Sequence, residues 1–135
     1  LEKYSGVRAY MHDIKETARE KGYVETIFGR RRAIPEIKSS NFNVRSGAER
    51  IALNTPVQGS AADIIKLAMV RVFHALEGLQ ARLLLQVHDE LIVECPVKEA
   101  EQVKKIVTAE MENVVQLKVP LLAEAKSGAS WYEAK

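Results

Sequence analysis

The sequence predicts an α+β fold, an antiparallel sheet backed by helices. Three observations carry that reading. Apolar residues recur at three- and four-residue steps in several stretches, as they do on amphipathic helices. Two short apolar runs, 81–87 and 91–95, flank a polar break, as the strands of a β-hairpin do. A further helix and one more strand then close the second half, an order that suits an antiparallel sheet backed by helices.

Each element has a local reason. Val7, Tyr10, Met11, Ile14 and Ala18 form the stripe of a first helix. Lys21-Gly22 stops it, with Gly22 free to take the left-handed position after the last turn. Residues 23–28 read as a strand, Gly29-Arg30 as a turn and residues 31–34 as the return strand. Pro35 and the polar stretch Lys38-Ser39-Ser40-Asn41 make a connector, the best internal boundary of the chain. A second helix is expected over 43–54. It should break at Thr55-Pro56, because the residue before a proline is pushed away from helical angles. Pro56 suits the first position of a new helix, with Thr55 as N-cap and Gln58 completing a capping box. That helix should bury Val57, Ala61, Ile64, Ile65, Ala68, Val72 and Leu76 and end at Gly78. Pro96 stops the second strand of the central hairpin. A helix over 98–115 should follow, with Val103, Ile106, Val107, Met111, Val114 and Val115 on one face. Residues 120–126 alternate as a last strand would, and Trp131 and Tyr132 are expected to dock the end of the chain.

A length of 135 residues suits one ordinary domain, and a 47% hydrophobic fraction is enough for a core. No apolar run reaches the roughly 18–20 residues of a membrane helix, and the start carries no signal peptide, so no membrane partner is expected. The missing initiator methionine suits a piece cut from a longer chain and an expressed segment equally well. One cysteine, Cys95, excludes an intrachain disulfide or a cysteine-based zinc site and is expected to be a small buried side chain. A cytoplasmic location goes with it. The net charge of +2 does not by itself point to nucleic acid, but it is unevenly spread. Residues 1–60 hold 11 Lys and Arg against 7 Asp and Glu, and the remainder 9 against 11. The excess is densest from Arg30 to Arg50. A phosphate-facing surface has that character, and so does an ordinary solvated face.

Three places could carry chemistry. The break between the central strands is His88-Asp89-Glu90. Tight hairpins favour Gly or Asn, whose backbones tolerate positive φ, and this one has neither. It puts an imidazole and two carboxylates at the end of a sheet, where a hard cation such as Mg²⁺ could be held through oxygen. An ordinary polar turn is the alternative. Arg50, Asn54 and Gln58 are spaced by four, although Pro56 makes a shared helical face only approximate. Each can donate hydrogen bonds to the acceptors of the DNA minor groove, and each also has a plain structural use, as a cap or a surface ion pair. Gly29-Arg30-Arg31-Arg32 is a basic turn that could meet phosphates or simply be solvated. Gly59-Ser60-Ala61-Ala62 is a run of small residues that permits close approach of another backbone. Dinucleotide, P-loop, H-E-x-x-H and nucleophile-elbow patterns are absent from the sequence.

Taken in series, these segments resemble the A family of DNA polymerases, the bacterial polymerase I type. Gln86-Val87-His88-Asp89-Glu90-Leu91 is similar to its third conserved motif. The stretch from Ala48 to Lys66, Gly22-Tyr23-Val24-Glu25-Thr26 with Gly29-Arg30-Arg31-Arg32, and Val119-Pro120-Leu121 resemble the family in the same order and with family-like spacing. The likeness covers essentially the whole chain. One His-Asp-Glu is weak evidence, whereas several long motifs in series are specific.

The resemblance implies a right-hand-shaped polymerase, with residues 1–40 from the end of the fingers and 41–135 from the C-terminal part of the palm. It implies that Asp89 is a ligand of two catalytic Mg²⁺ ions, with Mn²⁺ a possible substitute, and that Glu90 supports it. His88 would contact the primer end, and Arg50, Asn54 and Gln58 the primer–template DNA. The other partners would be deoxynucleoside triphosphates and the remainder of the polymerase chain. The second catalytic aspartate and the fingers helix that grips the triphosphate are not in this sequence, so the isolated chain is expected not to extend primers. The rival readings are a non-catalytic nucleic-acid-binding module, part of a single-subunit RNA polymerase of the same fold, and a metal-dependent hydrolase.

Overall fold

The computed structural model describes residues 2–135, so that Leu1, the first residue of the expected fingers segment, lies outside them. The chain divides into two compact units, Leu1–Asp63 and Ile64–Lys135.

The first unit opens on helix α1, Ser5–Lys21. Gly22 ends it at φ 78°, and its N–H donates to the Ala18 carbonyl, the left-handed cap expected of a glycine there. A short antiparallel hairpin follows, β1 (Tyr23–Glu25) and β2 (Arg31–Ala33), in the register Tyr23↔Ala33, Val24↔Arg32 and Glu25↔Arg31. Both strands are shorter than the sequence suggests, because residues 26–30 form a five-residue loop closed by Thr26 N–H to Arg30 O and Gly29 N–H to Thr26 O. A 3₁₀ turn, Pro35–Lys38, leads to helix α2, Phe42–Asn54. The Asn41 side chain caps α2 by accepting from the N–H groups of Asn43 and Val44.

Ala18, Val24, Ile34, Ile37, Ala48 and Ala52 form the core of this unit, with Ile14 against it. The three alanines let α1 and α2 approach closely. Burying Ile34 and Ile37 supplies roughly 1.5–3 kcal/mol each. Only the end of the α1 stripe is used, since Val7 and Tyr10 remain exposed.

Pro56 does not break the helix. The chain stays helical at Thr55 (φ −58°, ψ −46°) and passes through one wide π-turn, Thr55–Gly59, into helix α3, Ser60–Ala75. A proline lacks an N–H and its ring crowds the carbonyl four residues back, and a wider turn relieves both problems. The expected capping box does not form: Thr55 is not an N-cap but follows α2 as its C-cap, and Gln58 lies inside the π-turn. The wide turn also rotates the buried face. Val57 and Ala61, expected inside, are exposed, and Asp63 is buried in their stead. Ile65, Ala68, Val72 and Leu76 are buried as the period requires.

The second unit holds the remainder of α3, the hairpin β3 (Arg82–Val87) and β4 (Glu90–Glu94), and helix α4, Ala100–Glu112. Val72, Leu76, Ala81, Val103 and Val107 form its core, with Leu83, Leu91, Val93, Ile106 and Met111 packed around them. Arg71 ties α3 to α4, donating to Glu110 at 2.8 Å and to the Asn113 carbonyl. Helix α4 ends earlier than the sequence suggests, with Asn113 as its C-cap. Cys95 is half-buried rather than buried.

The last strand does not form. Residues 121–126 alternate between half-buried and exposed, so the period is real, but the segment has no ladder partner among the described residues. It is held instead by Ala123 N–H donating to Glu112. A four-residue helix, α5 (Trp131–Ala134), ends the chain, and Tyr132 is 87% exposed, so it does not dock as expected. Among the described residues, no helix is long and apolar enough to cross a membrane.

Candidate functional site

In the second unit, the ladder places Val87 opposite Glu90, leaving His88 and Asp89 as a two-residue loop. Glu90 is therefore the first residue of β4 rather than part of the turn. His88 has φ 54° and is the one non-glycine among the described residues with a positive φ. Of the two loop residues only the first has this sign. Histidine visits this region more readily than most side chains, but it still costs roughly 1–2 kcal/mol. Gln86 Nε2 donates to the His88 carbonyl at 2.8 Å and pins the loop.

His88, Asp89 and Glu90 are all exposed, and none of their side chains has a hydrogen-bond or ion-pair partner among the described residues. The hairpin thus brings three polar side chains to its tip and uses none of them internally. Below the tip, Leu84 is an extra residue in β3, a bulge between Leu83↔Val93 and Leu85↔Ile92. It leaves Leu83, Leu91 and Val93 facing the helices and Leu84 and Leu85 exposed.

In the first unit, Arg50, Asn54 and Gln58 lie on one uninterrupted helical run through the π-turn. All three are exposed and without a side-chain partner among the described residues. The basic turn is different. Arg30 Nε donates to Asp63 at 2.8 Å, and Arg31 Nε donates to Glu25 at 3.2 Å while its guanidinium lies 4.5 Å from the Tyr23 ring centre. Two of the three arginines are committed inside the unit, and Arg32 has no such partner among the described residues.

A polar cluster at the hairpin loop escaped the sequence reading. Thr26, Ser60 and Asp63 are all buried. Thr26 Oγ1 donates to Asp63 Oδ2 at 2.7 Å and accepts from the N–H groups of Phe28 and Arg30. Ser60 Oγ accepts from Ile27 N–H at 2.9 Å and donates to the Pro56 carbonyl. Gly59 lies beside the loop. A Cβ there would stand 2.9 Å from Thr26 Cγ2, so the small residues admit a side chain rather than a backbone. The available signal was an aspartate inside an otherwise apolar helical stripe.

The model of DNA polymerase family A matches residues 1–133. DNA polymerase I of Bacillus subtilis is 56% identical over 137 aligned residues, and that of Streptococcus pneumoniae 52%. In both cases all of this chain is covered, against 16% of the relative, so the chain spans about one sixth of their length. The polymerase domain of Pol1 from M. smegmatis, solved in complex with DNA primer-template and dNTP, superposes with a TM-score of 0.95 at 48% identity. The match covers 98% of this chain and 24% of that one.

Proposed function

We propose, from the premise that this chain belongs to DNA polymerase family A, that it supplies a catalytic carboxylate and part of the primer–template surface of a DNA-directed DNA polymerase. The observation that carries the reading is Asp89, uncommitted on a strained two-residue turn, in a chain that matches the family from end to end. In this reading residues 1–40 belong to the fingers and 41–135 to the palm, and the protein works in the cytoplasm.

Family A polymerases depend on divalent metal ions. The hairpin tip fits such an ion in the kind of donor it offers, since Asp89 and Glu90 present only carboxylate oxygens to solvent. Among the described residues no group of three or more His, Cys, Asp and Glu converges on one point. That suits Mg²⁺, which takes one or two carboxylates and completes its shell with water and substrate phosphates. Asp89 would be the ligand, with Glu90 beside it. Two Mg²⁺ ions, or Mn²⁺ in their place, would lower the pKa of the attacking hydroxyl and neutralise charge on the leaving phosphates.

The reaction joins the primer 3′-oxygen to the α-phosphorus of a deoxynucleoside triphosphate, while the bond from that phosphorus to pyrophosphate breaks. This chain's residues hold the reactants in place. His88, raised at the tip, would donate to the primer end. Arg50, Asn54 and Gln58 would donate to minor-groove acceptors, which every base pair offers in similar places, so pair geometry is tested without reading sequence. The isolated 135 residues would not extend primers, because a two-ion site needs carboxylates from elsewhere in the polymerase.

Primer extension by the whole polymerase, wild type against Asp89→Ala and Gln58→Ala, tests this. The Asp89 change should abolish nearly all extension while DNA binding survives, and the Gln58 change should be milder. Normal extension by the Asp89 variant would reduce the tip to a polar turn and leave a DNA-binding module.

A further inference from the structure

We propose that Thr26, Arg30, Ser60 and Asp63 form a clasp that positions Gln58, bringing it into line with Arg50 and Asn54. The proposal rests on the reading of those three residues as minor-groove contacts.

Each four-residue step overshoots a 3.6-residue turn by about 40°, so on a straight α-helix Gln58 would stand about 80° away from Arg50. A π-turn takes more residues per revolution and undoes part of that drift. The wide turn covers Thr55–Gly59 and so includes every residue added in the step from Asn54 to Gln58. Arg50, Asn54 and Gln58 therefore lie closer to one line than their spacing allows on a regular helix, and a line of donors can follow a groove.

A π-turn is rare and needs support. Pro56 rules out a regular α-turn but does not hold the helix wide. The hairpin loop does so from one side. Ser60 Oγ bridges the Pro56 carbonyl to Ile27 N–H, and Thr26 Cγ2 fills the space a side chain at Gly59 would need. Both Asp63 oxygens are taken, one by Thr26 Oγ1 at 2.7 Å and one by Arg30 Nε at 2.8 Å. The Arg30 guanidinium also reaches the Gly59 carbonyl at 3.4 Å. Contacts thus meet residues 56, 59, 60 and 63, and Gln58 remains exposed and without a partner among the described residues. A buried carboxylate with its partners is a weak source of stability compared with apolar packing, whereas a fully satisfied network fixes geometry. The four clasp residues are positioning residues. None need touch DNA.

The test is a double-mutant cycle in the whole polymerase, reading KM for primer–template, kcat and the ratio of matched to mismatched primer extension. Thr26→Val keeps the shape and removes the hydroxyl. It should raise KM and relax discrimination by about fivefold, the size of one hydrogen bond, with kcat little changed. In a Gln58→Ala background the same change should add nothing, because the residue it positions is gone. A Thr26→Val enzyme that melts earlier but keeps wild-type KM and discrimination overturns the clasp, and so do effects that multiply with those of Gln58→Ala. If Gln58→Ala alone changes nothing, the minor-groove reading falls first and the clasp with it. Should Thr26→Val fail to fold, Gly59→Ala takes its place. Its methyl would collide with Thr26 Cγ2, and adding Thr26→Ser, which removes that methyl and keeps the hydroxyl, should restore KM and discrimination. Failure of that rescue counts against the proposal.

Discussion

The polar cluster around Asp63 and the hairpin tip around Asp89 are each built on one aspartate, and they treat it in opposite ways. Asp63 is 9% exposed, with one oxygen on Thr26 and the other on Arg30. Asp89 is exposed, follows a residue in a strained conformation and has no partner among the described residues. The first carboxylate is consumed in holding the chain together. The second adds nothing to the fold and sits where the fold bears a cost, which is where a ligand-binding group is expected. The arginines divide in the same way. Arg30 and Arg31 are engaged within their own unit, so the charge density of the 30–50 stretch overstates what is left to meet phosphate.

Removing each aspartate in turn, and reading both activity and folding, separates the two roles. Asp89→Ala should lower kcat of the whole polymerase by on the order of 10³-fold, since metal-borne charge stabilisation is worth several kcal/mol of barrier. It should leave the unfolding transition within about 0.5 kcal/mol, as an exposed substitution without internal contacts does. A matching loss of stability would mean that Asp89 also supports the fold, and the contrast with Asp63 would collapse.

Asp63→Ala should cost stability and leave kcat little changed, while loss of the clasp raises KM for primer–template. It strands the Thr26 hydroxyl and leaves Arg30 without its carboxylate. A charge-assisted hydrogen bond is worth roughly 1.5–3 kcal/mol, and the half-exposed Arg30 regains water, so a loss of about 2 kcal/mol is expected. Hydrogen exchange at the amides of 23–33 should report it directly, because that hairpin opens first when its anchor goes. Unchanged protection there would show that packing of Val24, Ile34 and Ile37 is sufficient by itself.

How much of each region the sequence discloses follows from how local its causes are. The Asp89 tip is legible because two apolar runs around a short polar break can hardly fold otherwise, and the carboxylates are adjacent in the chain. The α2 helix is local as well, although its Asn41 cap reads in the sequence only as connector. The cluster around Asp63 is not. Pro56 permits two outcomes, a break or a widened turn, and the outcome observed goes with Ser60 meeting Ile27, 33 residues away. With the turn widened, Val57 and Ala61 face outward and Asp63 inward, whereas from Ile65 onward the period read from the sequence holds. Residues 120–126 fail for a different reason. Their alternation is genuine, but a strand requires a ladder partner, and alternation in one segment does not supply it.

The smallest effect separates strain from function at the tip itself. His88 holds φ 54°, which glycine adopts freely. His88→Gly should relieve roughly 1–2 kcal/mol of backbone strain and lose part of that gain to the greater freedom of glycine in the unfolded chain, leaving the hairpin more stable by about 0.5 kcal/mol. Amides of β3 and β4 should exchange more slowly. Extension from a primer end should nevertheless fall, because the imidazole proposed to meet that end is gone. The two readouts moving in opposite directions would mark a residue kept for its contact with substrate at the expense of the fold. Faster exchange together with undiminished extension would instead make His88 an ordinary turn residue, and would leave Asp89 as the only functional group on the loop.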